Sequence, residues 1–287
     1  MIDFLNYIHR KQKDEILTEF EDDKVAKQYL DFLEKKEFIF YSTNSYFPDL
    51  SLRSINEDTS SIYFVTIVFS QFINENLDQI ISNLNGLGVK RLHFHLTDED
   101  SMSVIWNILN LLKFSRITNL SFTIPYQKID KEIYKDNRLK TVYLYNSPKE
   151  KTIRNFEVSS FFIKKNSNNL FTPKFGLNTV DVNTNTFNIA NNYNLSLYKT
   201  IFVDGNGIIR FNNLDRVNYG NITNSLHDIE TKTIKKLSKI WNIQKKDIFP
   251  CNNCEFRFCC SATYIPKKEN DKFEIECNYN PYNTELT

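Results

Sequence analysis

Residues 251–260 read CNNCEFRFCC and residues 276–282 read ECNYNPY, and these two short stretches hold every cysteine of the chain. Four of the five cysteines follow the spacing C-x2-C-x5-C-x16-C, namely Cys251, Cys254, Cys260 and Cys277. Four thiolates, headed by a CxxC pair, complete the coordination shell of one zinc ion or of a [4Fe–4S] cluster. The sequence therefore predicts a metal or cluster site here, with a disulfide pair or unrelated core thiols as the alternatives.

Length and composition limit the classes of protein to consider. With 287 residues, 41% of them hydrophobic, the chain has enough material for one large domain or two smaller ones. The formal net charge of +1 gives no electrostatic reason to expect nucleic-acid binding. No secretory signal is visible at the start, and the longest apolar run, residues 62–69, is too short to cross a membrane. Together with the clustered thiols, these features predict a protein of the reducing cytoplasm without a membrane partner.

The amino-terminal residues 2–36 carry a helical pattern. Val25, Tyr29, Leu30 and Leu33 recur at helical spacing, with lysine and glutamate on the other side. The next residues, 37–41, read EFIFY and predict a short strand.

Strand and helix signals then alternate as far as residue 145. Residues 62–69 predict a strand buried on both faces, and further strands are predicted at 91–96, 120–124 and 139–145. Amphipathic helices are predicted between them, at 72–87 and after Thr97. Strands separated by helices indicate a parallel sheet and the α/β fold class. An open, partial (β/α) barrel and an ordinary doubly wound sheet fit this pattern equally well.

Two further elements lead from this region to the cysteines. Asp204-Gly205-Asn206-Gly207 lies between two apolar runs and predicts the turn of a hairpin. Residues 231–240 predict a helix that leads through Trp241 into the cysteine region.

The cysteine region resembles the C-terminal SPASM module of the peptide maturases of grasp-with-spasm systems. The residues that carry the resemblance are Cys251-Asn252-Asn253-Cys254-Glu255-Phe256-Arg257, Cys260 and Glu276-Cys277-Asn278-Tyr279-Asn280-Pro281-Tyr282. Such maturases modify ribosomally made peptides alongside an ATP-grasp ligase. The resemblance implies a partial (β/α) barrel-like parallel sheet of the radical S-adenosylmethionine type, followed by a small cysteine-rich SPASM module.

The resemblance also implies a division into three domains. Residues 1–45 correspond to a helical remnant of a leader-peptide recognition domain, which is a winged-helix-like module that binds a peptide at a sheet edge. Residues 46–195 correspond to the partial (β/α) barrel-like domain. Residues 196–287 correspond to the SPASM-type iron–sulfur module.

Radical S-adenosylmethionine chemistry is not expected of this chain, because the CxxxCxxC motif is missing. Enzymes of that type carry the motif after their first barrel strand, where three thiolates leave one iron open for the cofactor. Here the strand predicted at 62–69 ends at Phe69, and Ser70 and Gln71 lead directly into a helix without any cysteine. S-adenosylmethionine is therefore not an expected cofactor. No other catalytic constellation is visible, so the sequence does not decide whether the chain is an enzyme.

Full SPASM modules hold two auxiliary clusters, and the resemblance assigns one of them to this chain. The ligand positions of one cluster fall on Ser196, Asn212 and Tyr264, so all three of its cysteines are replaced. The ligand set of the other cluster is complete, as Cys251, Cys254, Cys260 and Cys277. The family spacing selects Cys260 over its neighbour Cys259, and neighbours in an extended segment point in opposite directions.

Several residues are expected to surround this site without binding the metal. Arg257 is expected to pair with Glu255, to lie near the cluster sulfurs, or to be solvated. Tyr279 and Tyr282, with Pro281, are expected to cover the site from water. The lysine pairs Lys235-Lys236 and Lys245-Lys246 are predicted to lie on solvated helix faces.

His93 and His95 alternate on a predicted strand and therefore share one face of it. Two imidazoles on one face could bind a metal, but no third ligand follows at a convincing spacing. Both histidines are therefore expected to be core or barrel-lining residues.

These observations lead to one main hypothesis and two alternatives. The main hypothesis is a SPASM-domain protein of ribosomal peptide maturation that binds one [4Fe–4S] cluster. It would act with an ATP-grasp ligase on a ribosomal precursor peptide, as a peptide-binding or scaffold component. The first alternative fills the same cysteines with Zn²⁺ and makes the protein a structural-zinc interaction module without a redox or catalytic role. The second is a decayed paralogue without a function of its own.

Overall fold

The computed structural model describes residues 4, 7, 8, 11–39, 59–97, 101–166, 174–283, 285 and 286. Within the chain two compact units are distinguished, Met1–Arg53 and Ser54–Thr287. The end of the strand predicted at 37–41 and the start of the helix predicted after Thr97 lie outside the described residues.

The first unit contains two described helices, α1 (Lys13–Glu19) and α2 (Lys24–Lys35). Helix α2 begins after Asp23, whose carboxylate accepts hydrogen bonds from the backbone N–H groups of Val25 and Ala26. This side-chain cap satisfies two N–H groups that would otherwise have no partner within the helix. The helical prediction for this region is confirmed over the described residues.

The buried side of α2 differs from the predicted one. Ala26, Leu30 and Leu33 are buried, whereas Val25 and Tyr29 are exposed. The buried residues follow the spacing i, i+4, i+7, which places them in one stripe along the helix. The strand predicted after this helix is wrong over its described part, because no strand forms at residues 37–39 and Glu37 adopts a φ of 57°.

The second unit is built on a sheet that has nine strands among the described residues. They are β1 (Phe64–Val68), β2 (Arg91–His95), β3 (Asn119–Pro125), β4 (Leu139–Tyr145), β5 (Lys151–Asn155), β6 (Val158–Phe162), β7 (Thr200–Val203), β8 (Ile208–Arg210) and β9 (Gly220–Asn221). Their order in the sheet is β5-β6-β4-β3-β2-β1-β7-β8-β9. The six strands from β6 to β7 are parallel, and β5, β8 and β9 are antiparallel to their neighbours. The predicted α/β class with a mostly parallel sheet is confirmed.

Helices lie between several strands of the large sheet and after its last strand, β9. The described helices of this unit are α3 (Gln71–Glu75), α4 (Leu77–Gly86), α5 (Ser101–Leu111), α6 (Thr184–Asn192), α7 (Leu226–Asp228) and α8 (Ile234–Trp241), with a π-helical turn at Ile229–Thr233. Short 3₁₀ turns lie at Leu112–Phe114, Lys131–Lys135, Leu177–Thr179, Lys245–Asp247 and Cys251–Asn253. Ser70 begins α3 directly after β1, because its hydroxyl accepts from the backbone N–H of Ile73 and donates to the carbonyl of Gly205.

The two faces of the sheet differ in chemistry. Residues such as Val65 and Ile67 alternate with half-buried residues of β1 and belong to one hydrophobic core with side chains of α3, α4 and α5. On the opposite face, Thr66 is in register with His93 and Ser121. The prediction that β1 is buried on both faces is therefore wrong, because its second face is half-buried and carries polar neighbours.

Two small sheets follow the large one. One has the order β10 (Ile248–Phe249), β12 (Lys272–Glu274), β11 (Lys267–Glu269), and the other pairs β13 (Tyr279–Asn280) with β14 (Glu285–Leu286). The hairpin predicted before them is confirmed as β7 and β8, with Gly207 at a φ of 76° in its turn. Because β7 also pairs with β1, the large sheet continues into the region that the sequence assigns to the cysteine-rich module.

Candidate functional site at the four cysteines

A pair of parallel strands brings the first and last cysteines of the motif to the same place. β10 and β12 run in parallel, with Phe249 opposite Glu274. The backbone N–H of Ile275 donates to the carbonyl of Phe249 at 3.0 Å and extends this pairing. Since parallel strands end at the same edge of a sheet, Cys251 and Cys277 are both delivered to that edge shortly after their strands.

A tight turn orients the two cysteines of the CxxC pair. Cys251–Asn253 form a 3₁₀ turn, and the backbone N–H of Cys254 donates to the carbonyl of Cys251 at 2.9 Å. Residues three apart are eclipsed in a 3₁₀ helix, so both side chains lie on one side of the turn. The CxxC spacing is therefore what allows both thiols to reach one site.

Adjacent cysteines 259 and 260 have different surroundings. The backbone N–H of Cys260 donates to the carbonyl of Phe256 at 2.8 Å, and Cys260 forms an isolated β-bridge with Val180. Its side chain is buried with the other predicted ligands. Cys259 is only half-buried, and its thiol donates to the carbonyl of Phe256 at 3.6 Å. The structure thus directs Cys260, and not Cys259, to the common site.

All four predicted ligands line one cavity. The cavity is lined by Phe175, Lys245, Pro250, Cys251, Cys254, Arg257, Cys260, Tyr264, Ile275, Cys277, Tyr279 and Pro281. In the part of the chain that the structure describes, no group of three or more His, Cys, Asp or Glu side chains is placed so that it could hold one metal ion. The four thiols therefore border a common space without converging on one point.

Burial controls the protonation of two of these thiols. It raises the pKa of the Cys251 thiol to about 12 and the pKa of the Cys254 thiol to about 11. The neighbouring Cys260 and Cys277 contribute to both increases in pKa, whereas the charge of Lys245 acts in the opposite direction on Cys251. In the metal-free protein Cys251 and Cys254 are protonated at neutral pH, so any metal that binds them displaces their protons.

Lys245 is a buried lysine at this cavity. Only 4% of its surface is exposed. Its Nζ donates to the carbonyl oxygen of Cys260 at 2.8 Å, to the Sγ of Cys260 at 3.2 Å and to the carbonyl oxygen of Ala262 at 3.2 Å. The prediction of a solvated helix face is therefore wrong for Lys245. It is confirmed for Lys246, Lys235 and Lys236, which are exposed.

Three aromatic rings cover one side of the cysteines. Phe175, Phe256 and Tyr279 lie with ring centroids 4.8 to 5.5 Å apart and pack with Cys254 and Cys260. The expected covering role fits Tyr279, which is buried. It is wrong for Tyr282, which is 62% exposed and accepts a hydrogen bond from the side chain of Asn253.

Arg257 lines the cavity and lies three residues after Cys254 in the chain. Its Nη1 donates to the carbonyl of Cys254 at 3.1 Å, and its guanidinium lies 4.7 Å from the ring centre of Phe258. The carboxylate of Glu255 accepts a hydrogen bond from the hydroxyl of Tyr279. Among the alternatives for Arg257, its position in the cavity wall agrees with a place near the thiols.

The three residues that the SPASM resemblance places at ligand positions of a second cluster have hydrogen bonds of their own. Ser196 is buried and donates to the side-chain oxygen of Asn194 at 2.8 Å. The Nδ2 of Asn212 donates to the carbonyl of Thr263 at 2.8 Å, which connects the end of the hairpin to the cysteine segment. The hydroxyl of Tyr264 accepts from the backbone N–H of Phe175 at 3.0 Å. These contacts give the side chains of Ser196, Asn212 and Tyr264 structural roles.

A scan against protein-family models, a search of curated proteins and a search of solved structures each found no match to the chain. The likeness to SPASM modules therefore depends on the motif residues themselves. Among the described helices, none combines the length and the apolar character needed to span a membrane.

His93 and His95 form a separate group on the polar face of the large sheet. Both are buried, and the ring nitrogens of His93 lie 2.7 Å from the hydroxyl of Ser121 and 3.0 Å from that of Thr123. Burial, and then the neighbouring His95, lowers the pKa of His93 to about 3. Burial lowers the pKa of His95 to about 4. Both imidazoles are therefore neutral at pH 7 and are part of the interior of the unit, as predicted.

The sequence does not indicate that Lys245 and Phe175 belong to the site. Lys245 lies next to an exposed lysine, and Phe175 lies far from the cysteines along the chain. The backbone N–H of Phe175 donates to the hydroxyl of Tyr264 and to the side-chain oxygen of Asn278, and Val180 of the same segment pairs with Cys260. A contact of this kind depends on the tertiary structure and leaves no local pattern.

Proposed function

We propose that the chain binds one [4Fe–4S] cluster through Cys251, Cys254, Cys260 and Cys277. The observation that carries this proposal is that these four thiols, which share the spacing of the motif, line one cavity. The donor set fits the group, because a [4Fe–4S] cluster takes four cysteine thiolates. A buried lysine that donates to one of the thiols adds positive charge where the thiolates would carry negative charge.

A cluster held by four thiolates has no open iron for a substrate. It would supply either electron transfer or a crosslink of the fold. The four cysteines belong to three separate pieces of chain, the CxxC turn, the segment of Cys260 and the segment after β12. A group bound to all of them would hold these pieces together. This arrangement supports a structural role, with the bond-forming step performed by a partner.

We further propose that the protein is a SPASM-type component of ribosomal peptide maturation, which holds a peptide or docks a partner. The mostly parallel sheet is compatible with the partial (β/α) barrel of radical S-adenosylmethionine enzymes. The passage from β1 through Ser70 into α3 contains no cysteine, so S-adenosylmethionine cleavage is not part of the proposal. The proposed partners are an ATP-grasp ligase and a ribosomal precursor peptide. The proposed location is the cytoplasm, where thiols stay reduced.

Purification without oxygen tests the cluster. We expect a brown protein with a broad charge-transfer absorption and stoichiometric iron and sulfide, at about four of each per chain. The same measurement tests the zinc alternative, because both metals are quantified in one sample. Colourless protein with one zinc per chain would contradict the cluster and leave the structural-zinc module.

Co-purification tests the role in peptide maturation. The tagged full chain is expressed with an ATP-grasp ligase and a short precursor peptide encoded beside it. We expect at least one of them to be retained, and a copy of the chain with its four site cysteines changed to alanine to retain less, because the cysteine region would no longer be held in one shape. If neither partner is retained by the intact chain, the scaffold role is wrong and the decayed paralogue is favoured.

A further inference from the structure

Lys245 is unusual among the lysines of this protein because its charged end is enclosed at the cysteine cavity. The three acceptors around its Nζ are the two carbonyl oxygens and the Sγ described above, all within 3.2 Å. A lysine ammonium has three N–H donors, and a neutral amine has two. The contacts therefore use every donor of the charged form.

In the described part of the chain, no carboxylate forms an ion pair with this buried charge. The ion pairs formed among the described residues do not include Lys245, and two of its three acceptors are uncharged backbone carbonyls. A buried cation is costly unless an anion lies near it. The side chain within hydrogen-bond distance of its Nζ is Cys260, at 3.2 Å, and Cys260 is one of the four ligands in the proposed function.

We propose that Lys245 is a positioning residue that favours the more negative oxidation state of the group bound by the four cysteines. This inference rests on the proposed function. A hydrogen bond to a ligand sulfur and a nearby positive charge both stabilise added negative charge, and both are known controls of iron–sulfur reduction potentials. The effect is strong because burial weakens the screening of the charge. The process concerned is the uptake of one electron from an external donor, during which Lys245 keeps its three protons and no bond to it forms or breaks.

The test is a potentiometric titration of the full chain, followed by electron paramagnetic resonance. Lys245→Met removes the charge and the donors, Lys245→Arg keeps the charge, and Lys246→Met removes an exposed neighbouring charge as the matched control. At a fixed potential we expect about a tenfold lower ratio of reduced to oxidised cluster in Lys245→Met, which is a shift of about 59 mV for one electron. Lys245→Arg and Lys246→Met should stay close to the wild type. An unchanged potential in Lys245→Met would overturn the proposal.

Iron and sulfide analysis of each sample separates this proposal from the function on which it rests. If the wild type holds no cluster, both are wrong, whereas a wild-type cluster with an unchanged potential in Lys245→Met overturns the role of Lys245 alone. If Lys245→Met fails to retain iron, Lys245→Gln takes its place in the titration. Loss of iron from both with retention by Lys245→Arg supports the need for a cation. Loss from all three variants would show that shape and not charge matters, and would overturn the proposal.

Discussion

Replacing any one of Cys251, Cys254, Cys260 and Cys277 by alanine is expected to reduce the iron content of the anaerobically purified protein from about four atoms per chain to less than about one. The reason is that these four thiols line the same cavity and no spare thiol lines it with them. Loss of one ligand leaves a cluster iron exposed and a cavity wall incomplete. Iron and acid-labile sulfide are measured on each variant, with the visible spectrum as a second readout.

Cys259→Ala is the matched control for this series. It removes a thiol from the residue next to Cys260, but its sulfur faces the carbonyl of Phe256 and is absent from the cavity wall. We expect this variant to keep its iron and its colour. An equal loss of iron in Cys259→Ala and Cys260→Ala would contradict the assignment of Cys260, and not Cys259, as the ligand.

The spacing of the cysteines, together with the SPASM resemblance that selects Cys260 over Cys259, predicts which thiols line the cavity. It encodes local geometry, since a CxxC pair fits one turn and a later cysteine can return on a neighbouring strand. Lys245 and Phe175 could not be predicted in this way. The burial of Lys245 depends on the carbonyl groups of residues 260 and 262, and the position of Phe175 depends on hydrogen bonds to Tyr264 and Asn278. Such contacts form between segments that are distant in sequence, where composition and periodicity contain no information.

The fold shows the same division between local and long-range information. The predicted strand at 139–145 coincides with β4, and the predicted hairpin coincides with β7 and β8, because apolar runs and turn residues mark them locally. Strand β5, with four exposed residues of its five, has no hydrophobic pattern that would reveal it. It forms because its backbone pairs with β6. The half-buried second face of β1 is not predicted either, since an apolar run indicates burial without showing what lies opposite.

Lowering the pH from 7 to 4 is expected to reduce the free energy of unfolding of the second unit by about 3 kcal/mol through His93 alone. Burial, and then the charge of His95, lowers the pKa of His93 from 6.5 to about 3 in the folded protein. Between these two values the unfolded chain binds a proton that the folded protein does not bind, so stability falls as the pH falls through this window. Each pH unit in the window costs about 1.36 kcal/mol. Urea unfolding followed by tryptophan fluorescence at pH 7, 5 and 4 measures the change.

His93→Gln isolates this effect from the carboxylates that also titrate in acid. The variant loses the ionisable ring but keeps a polar side chain that can reach the hydroxyls of Ser121 and Thr123. Hydroxyl groups can accept or donate, so these contacts alone would permit a charged ring, and the cost of protonation comes from burial and from His95. We therefore expect the wild type to lose about 3 kcal/mol more than His93→Gln between pH 7 and pH 4. The exposed His227→Gln should lose as much as the wild type. Equal losses in the wild type and His93→Gln would show that His93 is accessible to protons in the folded state, and that the polar face of the sheet is open to water.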